Sequence, residues 1–566
     1  MPTATPSQTL ATSAPESDAH LAADAHRARV APMARAILLQ AALLGVAADL
    51  LLRDGVMGLG LFLWLLLLSL SAVALVWRDG RPLNREAGTW LTVATLLGAA
   101  MAWRAADALQ AFDFLAMLFS LGMAAIAIAD VRVALFAERM RDTVWAAAKM
   151  VGSIAIGVVP LALRDAAPAA SRREVGGRLR PILRVLLIAL PLLLVFGSLL
   201  RSADPVFASI VALPDIDFET LASHVVLIGF FSWIVAGWAR AALVSDHSRT
   251  RAPETLPFSL GQLDITAALG TLNALFALYV VTQLGWFFGG ERFLQARTGL
   301  TAAEYARRGF FEMVWVVVLV LPLLLVTRAA LRPGRDLARR HSMLALPMVG
   351  LLGVMIVSAM LRMRLYVHYY GLTLERFYPL VFMGWLAIVL AWLALTVLRG
   401  RGRMFVAGAV VSALVILASL NVVVPDLLVA RVNVARASEP ARSTEPAIDL
   451  PHLATLGAEA VPLSVSAVLG TPTAPTDSAA ALREAHDRCR AASVLLRRWG
   501  PAGRVVASRE ASAAPWRMWN AGAAEATRVV GQNFARLLSV RHDACARERV
   551  LSPASNRPRP NAPAGR

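Results

Sequence analysis

The chain is poor in cysteine and almost devoid of lysine. Its only cysteines are Cys489 and Cys545, and Lys149 is the only lysine among 56 basic residues. On our interpretation, two cysteines rule out a cysteine-based metal site or an iron–sulfur cluster within the chain, so we predict no metal and no cofactor. Charged residues make up only 17% of the chain, whereas 57% of it is apolar. With a mean hydropathy of +0.60, this balance is typical of a membrane protein.

The sequence also lacks the short motifs that identify common reactions. It contains no phosphate-binding glycine loop, no H-E-x-x-H zinc motif, no G-x-S-x-G nucleophile motif and no dinucleotide fingerprint. We therefore assign no catalytic residue from the sequence.

What the sequence does contain is a series of long apolar runs between residues 36 and 424, of which Leu59–Trp77 and Phe405–Val424 are clear examples. A helix needs about 20 apolar residues to cross a bilayer, and its backbone satisfies its own hydrogen bonds there. The runs predict an all-α, polytopic transmembrane helix bundle of about 11 spans. The predicted spans are residues 36–52, 56–77, 88–103, 112–131, 185–200, 222–239, 265–288, 310–327, 344–361, 378–398 and 404–424.

The chain has a formal net charge of +18, and its arginines are concentrated in alternate gaps between the apolar runs. This is the positive-inside pattern. It predicts a bacterial inner-membrane protein with a cytoplasmic N-terminus and an extracytoplasmic C-terminus, and it argues against nucleic acid as a partner. Residues 144–163 are long enough to span the membrane. If they did, every later loop would lie on the opposite side of the membrane from the one predicted here. Since Lys149 and Gly152 lower the apolarity of this segment, we favour an amphipathic helix on the cytoplasmic surface.

The predicted organisation has four parts. Residues 1–35 form a disordered cytoplasmic tail, 36–424 the bundle, 425–550 a small extracytoplasmic helical region, and 551–566 a disordered tail. In an oxidising compartment Cys489 and Cys545 could form a disulfide, which would add about 4 kcal/mol in the chain-entropy model. The alternative is two unpaired small apolar side chains.

Several segments, in order, carry a resemblance to a known family. They are Ala203–Phe207, Glu304–Glu312, Tyr369–Thr373 with Arg376, Ala430–Arg431 with Asn433, Asp449–Leu450 with Leu453, and Trp516–Arg517 with Trp519–Asn520. The chain resembles a bacterial multi-pass membrane family called domain of unknown function 4173, which is related to 4153. His452 and Glu459 depart from the family pattern, which has Tyr and Asp there. The resemblance implies an integral membrane protein without an established activity, and it supplies no catalytic residues.

The densest polar cluster lies in one predicted outer loop, and a second outer loop and an acidic turn accompany it. The residues of this candidate binding cluster are Arg362, Arg364, Tyr366, His368, Tyr369, Tyr370, Glu375, Arg376, Asp204, Glu291, Arg292 and Arg307. Because arginine matches phosphate and carboxylate groups, the cluster could bind an anion, a lipid headgroup or a glycan phosphate. The alternative is an aromatic belt with arginine side chains reaching to the interface.

Carboxylates within the spans are a second kind of candidate, because ionisable groups in a membrane are functional hypotheses by default. Asp113 lies in a predicted span, and Asp49 lies near the end of another. Asp49 precedes Arg53 by four residues, so local neutralisation also explains it.

Three hypotheses for the function follow. The first is a non-enzymatic envelope, sensory or accessory protein; the second is a transporter or channel-like protein; the third is a membrane enzyme that acts on lipid-linked or glycan substrates. The predicted partners are the lipid bilayer and either an anionic lipid or glycan headgroup or another membrane protein.

Overall fold

The computed structural model describes residues 14–53, 55, 57–129, 150–166, 218–244, 259–298, 310–332, 334–438, 448–470, 478–501 and 515–551. These residues form helices and turns, with one isolated β-bridge between Leu260 and Leu331. The all-α prediction is therefore confirmed.

Ten long helices make up the bundle. They are α1 (Ala14–Leu52), α2 (Leu59–Arg78), α3 (Arg85–Trp103), α4 (Asp107–Ile128), α5 (Phe218–Leu243), α6 (Gln262–Thr298), α7 (Phe310–Ala329), α8 (Arg335–Tyr370), α9 (Leu374–Thr396) and α10 (Phe405–Val423).

Nine helices among the described residues are long and apolar enough to cross a membrane, namely all of these ten except α3. They match nine of the predicted spans, and the chain is a multi-pass membrane protein. The predicted span 88–103 corresponds to α3, which packs between α2 and α4. Arg85 and Glu86 begin this helix, and its threonines and glycines lower its apolarity. The predicted span 185–200 lies outside the described residues, and so does Asp204, which follows it.

The bundle buries two apolar cores. One lies among α1 to α5 and includes Ile37, Leu65 and Met101. The other lies among α6 to α9 and includes Leu269 and Leu352. Since the first turn of α10 contributes to both cores, this helix joins the two halves.

The segment that could have reversed the topology lies beside α5. Trp233 Nε1 of α5 donates to Ala155 O at 2.9 Å, and Arg240 Nε donates to Asp165 Oδ2 at 2.8 Å. Residues 155 to 165 thus run in the same direction as α5, and Leu161 is fully buried in the first core. The described part of this segment therefore packs on α5 and contributes to the first core. Residues 144–149 lie outside the described residues, so the surface position stays untested.

A smaller set of helices follows the bundle. Val424, with a φ of 56°, ends α10. The helices are α11 (Pro425–Ser438), α12 (Leu450–Thr455), α13 (Val461–Leu469), α14 (Ser478–Trp499), α15 (Ala521–Gln532) and α16 (Phe534–Leu551). They share a third core that includes Leu453, Val465 and Leu495. We call residues 425–551 the cap.

Candidate functional site

The cap lies on one end of the bundle, where it contacts the α1–α2, α3–α4 and α8–α9 turns. Each contact uses side chains or backbone of the cap to satisfy backbone groups of a turn. Helix ends leave free N–H and C=O groups that need partners wherever they are covered. We call this end of the bundle the capped end.

At the α3–α4 turn, two amide side chains donate to the same two carbonyls. Gln110 Nε2 of α4 donates to Met101 O at 3.2 Å and to Arg104 O at 2.6 Å. Asn520 Nδ2 donates to Met101 O at 2.8 Å and to Arg104 O at 2.6 Å. The Oδ1 of Asn520 also accepts from Ala523 N at 3.1 Å and so caps α15. On the other side, Ala105 N donates to Glu459 Oε1 at 2.8 Å. The turn is therefore held from both sides.

At the α1–α2 turn, the contact is between two backbones. Leu59 N donates to Trp519 O at 3.0 Å. Gly58 has a φ of +134°, and a Cβ atom there would lie 2.9 Å from the carbonyl carbon of Met518. Only glycine permits this backbone conformation and this approach together.

At the α8–α9 turn, α11 of the cap holds the chain. Leu372 N donates to Asn433 Oδ1 at 3.0 Å, and Asn433 Nδ2 donates to Leu372 O at 2.7 Å. Arg436 Nη1 donates to Val367 O at 3.2 Å. Gly371 ends α8 with a φ of +77°, a backbone conformation that glycine adopts without steric cost.

The structure brings three residues of the predicted binding cluster together at this turn. The Tyr366 and Tyr370 rings are 4.9 Å apart, and the guanidinium of Arg376 lies 4.3 Å from the Tyr366 ring centre. Arg376 Nη1 also donates to Tyr370 O at 3.0 Å. A cation over an aromatic face that binds the last carbonyls of a helix stabilises the turn. These side chains serve the turn, and the ligand role that we predicted for them stays untested.

The other members of the predicted cluster are dispersed or not described. Arg362 is buried, whereas Arg364 and Glu375 are exposed. The side chains of His368, Tyr369, Glu291 and Arg292 lie outside the described residues, as do Asp204 and Arg307.

Two polar residues form a buried pair beneath the cap, and the sequence predicted only one of them as a candidate. Asp113 of α4 is fully buried, and Asn421 Nδ2 of α10 donates to its Oδ1 at 2.9 Å and to Leu417 O at 3.1 Å. Asp113 Oδ2 and Asn421 Oδ1 are buried as well, and neither has a hydrogen-bond partner in the described part of the chain. Sequence analysis singled out Asp113 by its place in a span, but Asn421 is 308 residues away and carried no signal.

A second buried carboxylate, that of Asp426, lies at the joint between bundle and cap. Gly457 N donates to Asp426 Oδ1 at 2.7 Å, and Asp426 is almost fully buried. Burial raises the pKa of Asp426, the Gly457 N–H group opposes this shift, and the nearby Glu459 adds to it. The hydroxyl of Tyr378 is buried nearby without a hydrogen-bond partner in the described chain.

Asp49 is neutralised locally. Arg53 Nη2 donates to its Oδ1, and His224 Nδ1 of α5 lies 2.6 Å from its Oδ2. The neighbouring Arg53 was visible in the sequence, but His224 was not. This arrangement agrees with the simpler of the two interpretations above.

A family model matches residues 91–467, about two thirds of the chain, and its description is domain of unknown function (DUF4153). The chain belongs to this family. The predicted resemblance to a family of unknown function is thus confirmed, and the family shown is 4153. No curated protein and no solved structure matches the chain.

The motif segments behind the resemblance lie at the contacts of the cap. Asn433 holds the α8–α9 turn, Trp519 and Asn520 hold two other turns, and Asp449 Oδ1 accepts from His452 N at 2.8 Å to cap α12. In this DUF4153 protein, Asn433, Trp519 and Asn520 therefore join the cap to the bundle, whereas Asp449 stabilises a helix within the cap.

Proposed function

We propose that this protein is a non-enzymatic envelope, sensory or accessory protein of the bacterial inner membrane, whose extracytoplasmic cap recognises a ligand. The observation that supports this role most is the fixed joint of the capped end, because a cap held at three turns can pass a binding event to the bundle. We further propose, from the motif segments, that the chain groups with family 4173.

A groove in the cap is the best candidate for recognition. It has a volume of about 350 Å³, which is at the lower end of small-molecule sites. Its lining residues are Pro462, Val465, Ser466, Leu469, Gly470, Val529, Asn533 and Arg536. An apolar floor with one amide and one exposed arginine suits an amphiphile with an anionic headgroup. We therefore propose an anionic lipid as the ligand.

The experiment compares short-chain phosphatidylglycerol with short-chain phosphatidylcholine by calorimetric titration of the full-length protein in detergent. We expect preferential binding of phosphatidylglycerol, and a loss of about five- to tenfold in that preference for Arg536→Gln. Arg547→Gln, an exposed arginine on the same helix outside the groove, is the control. Equal binding of both lipids, or an equal effect of the two variants, would contradict the proposal. Mass spectrometry of the recovered lipid separates binding from an enzymatic change.

A transporter is the second candidate, and the Asp113–Asn421 pair favours it. Asn421 donates to one oxygen of Asp113, while the other oxygens of both groups face no donor. A single proton on Asp113 Oδ2 would supply a donor for Asn421 Oδ1 and would neutralise a buried carboxylate that forms no ion pair in the described chain. Proton-carrying carboxyl groups of this kind are typical of coupled transporters.

Infrared spectroscopy tests this alternative directly. The wild-type protein at neutral pH should show the C=O band of a protonated carboxyl group, and Asp113→Asn should abolish it. Since the amide in Asp113→Asn can donate to Asn421 and accept from it, the variant should fold normally. Asp107→Asn, which alters an exposed carboxylate of the same helix, should keep the band. A wild-type protein without the band would end this hypothesis.

A further inference from the structure

Four side chains with metal-binding donors lie together on two helices of the cap. His486 and Cys489 are on α14, and Cys545 and Glu548 are on α16. Within each helix the two residues are three positions apart, so they lie on one face. The cysteines are joined, with Cα atoms 5.0 Å apart, and His486 Nδ1 lies 2.7 Å from Glu548 Oε1. The two cross-helix pairs are therefore stacked one helical turn apart.

Three of the four donors are close enough to share one ion, and His486 adjoins them through Glu548, whose Oε1 lies 2.7 Å from its Nδ1. The two Sγ atoms and a carboxylate oxygen of Glu548 all lie within 4.8 Å of one another. Ligands of tetrahedral zinc lie about 2.0 to 2.3 Å from the metal, which puts neighbouring donors about 3.3 to 3.8 Å apart. All four side chains are partly exposed, so both an ion and a reductant can reach them.

We propose that in the dithiol state His486, Cys489, Cys545 and Glu548 bind one zinc ion. The disulfide first takes two electrons and two protons from a dithiol reductant, which becomes a disulfide itself. The ion then displaces the two thiol protons and is held by two thiolates, one imidazole and one carboxylate. Two sulfur ligands with nitrogen and oxygen favour zinc over magnesium or calcium.

The proposal revises the sequence-based expectation of no metal site. That expectation rested on the cysteine count, which could not reveal that His486 and Glu548 stand beside the sulfurs. The site is independent of the lipid groove, because none of its four residues lines that groove. It also lies beyond residue 467, where the family match ends. An oxidising compartment favours the disulfide, and a reducing one favours the metal.

The first experiment uses cobalt as a spectroscopic substitute for zinc. Full-length protein in detergent is reduced, freed of reductant without oxygen, and titrated with Co²⁺. We expect one Co²⁺ per chain with the thiolate-to-cobalt absorption of a tetrahedral site, displaced by one equivalent of Zn²⁺. The oxidised protein should show none of this absorption. Reduced protein without cobalt binding would overturn the proposal.

Variants then test whether all four side chains take part. His486→Ala and Glu548→Ala should each weaken Zn²⁺ binding by more than about tenfold, since loss of even an outer-shell partner typically costs 10–100-fold. His542→Ala is the matched control, because this histidine lies on α16 with a largely exposed side chain beside Asp543. If neither His486→Ala nor Glu548→Ala weakens binding, the two thiols alone chelate the ion, and the four-ligand site is wrong.

A further variant covers the case in which reduction unfolds the cap. Cys489→His cannot form the disulfide and still offers four donors. We expect Zn²⁺ to raise the Tm of this variant in air and a chelator to reverse the rise. No shift, with the variant folded as judged by circular dichroism, would also overturn the proposal.

Discussion

The two ends of the bundle use polar groups in different ways. At the end opposite the cap, which we call the open end, ion pairs join residues of one turn or of neighbouring segments, such as Arg81 with Asp79 at 2.6 Å and Arg240 with Asp165 at 2.8 Å. At the capped end, ion pairs such as Arg53 with Asp49 occur too, but amide and carboxylate side chains of the cap also bond the backbone of the turns, as Asn520 does with Met101, 419 positions away. The ion pairs of the open end are of the kind found on a solvated protein surface. At the capped end, buried backbone groups are bonded by side chains, as in the interior of a soluble protein.

The comparison also bears on topology. All three turns beneath the cap are turns that the charge pattern predicts to be extracytoplasmic, and the open end carries arginine-containing turns such as Arg78–Arg85. The contacts with the cap therefore bring together, at one end of the bundle, three turns that the charge pattern predicts to lie on the same side of the membrane. Which compartment each end faces stays a prediction.

The largest expected effect is at Asn520. Asn520→Ala removes the bonds that the cap makes to Met101 O and Arg104 O, which keep their bonds from Gln110, and it removes the N-cap of α15. We therefore expect the free energy that holds the cap on the bundle to fall by about 2 to 4 kcal/mol. Hydrogen exchange should show the Ala105 and Leu59 amides exchanging about thirty- to a thousandfold faster. Asn533→Ala, which removes a side-chain bond to Val529 O at the end of α15 and no contact with the bundle, is the control. Unchanged exchange would mean that the capped end is not held by these bonds.

A smaller effect is expected at the α8–α9 turn. Asn433→Ala leaves the N–H and C=O groups of Leu372 without their partner, at a cost of about 1 to 3 kcal/mol. The Leu372 amide should exchange faster while the Ala105 amide keeps its rate. Arg431→Ala, an exposed change on the same helix, provides the baseline. If the exchange rates of both amides rise equally, the cap detaches from the α3–α4 and α8–α9 turns together, and the two contacts do not open independently.

The joint should also respond to pH through Asp426. Because burial raises the pKa of Asp426 in the folded protein, its contribution is fully present below its usual pKa of 3.8. This contribution is lost as the pH rises through the folded value. Asp426→Asn keeps an acceptor for Gly457 N–H and removes the charge, so the variant should gain stability relative to wild type between about pH 4 and pH 7. Thermal unfolding at both pH values measures this, with Asp336→Asn, an exposed carboxylate of α8, as control. A constant difference between wild type and variant would refute the assignment.

The smallest effect is expected at the open end. Arg81 and Asp79 are each 36% exposed, so solvent screens their attraction, and Arg81→Gln should change stability by no more than about 0.5 kcal/mol. The comparison of the two ends fails if this variant lowers the Tm as much as Asn520→Ala does.

The sequence predicts the part of this fold that depends on local composition. Apolar runs identify nine spans because each helix carries its own hydrophobic signal, and α3 was expected to span although it falls short of the other nine. The role of Arg376 could not be predicted in this way. Its charge marks the turn as unusual, but its use depends on carbonyl groups and tyrosine rings that only the folded turn brings together.

Long-range pairs account for the rest. The sequence around Asp113 does not predict its contact with Asn421, and the sequence around Leu372 does not predict its contact with Asn433. A single asparagine forms no periodic pattern or spaced motif from which its partner could be inferred. A weaker signal was nevertheless available. Asn433 and Asn520 both stand within the motif segments of the family resemblance, and a polar residue in such a motif at a loop is more often a connector or ligand than a surface residue.

The contact between Asn520 and Met101 has a consequence for synthesis of the protein. The two residues are 419 positions apart, so a ribosome that adds about 5 to 20 residues per second needs roughly 20 to 80 s to supply the partner of the α3–α4 turn. During that interval the carbonyls of Met101 and Arg104 have only the Gln110 amide as their side-chain donor, and the α3–α4 turn lacks its contact with the cap. A chain released before residue 520 would therefore display an unfinished surface, which is a feature that membrane quality control can recognise.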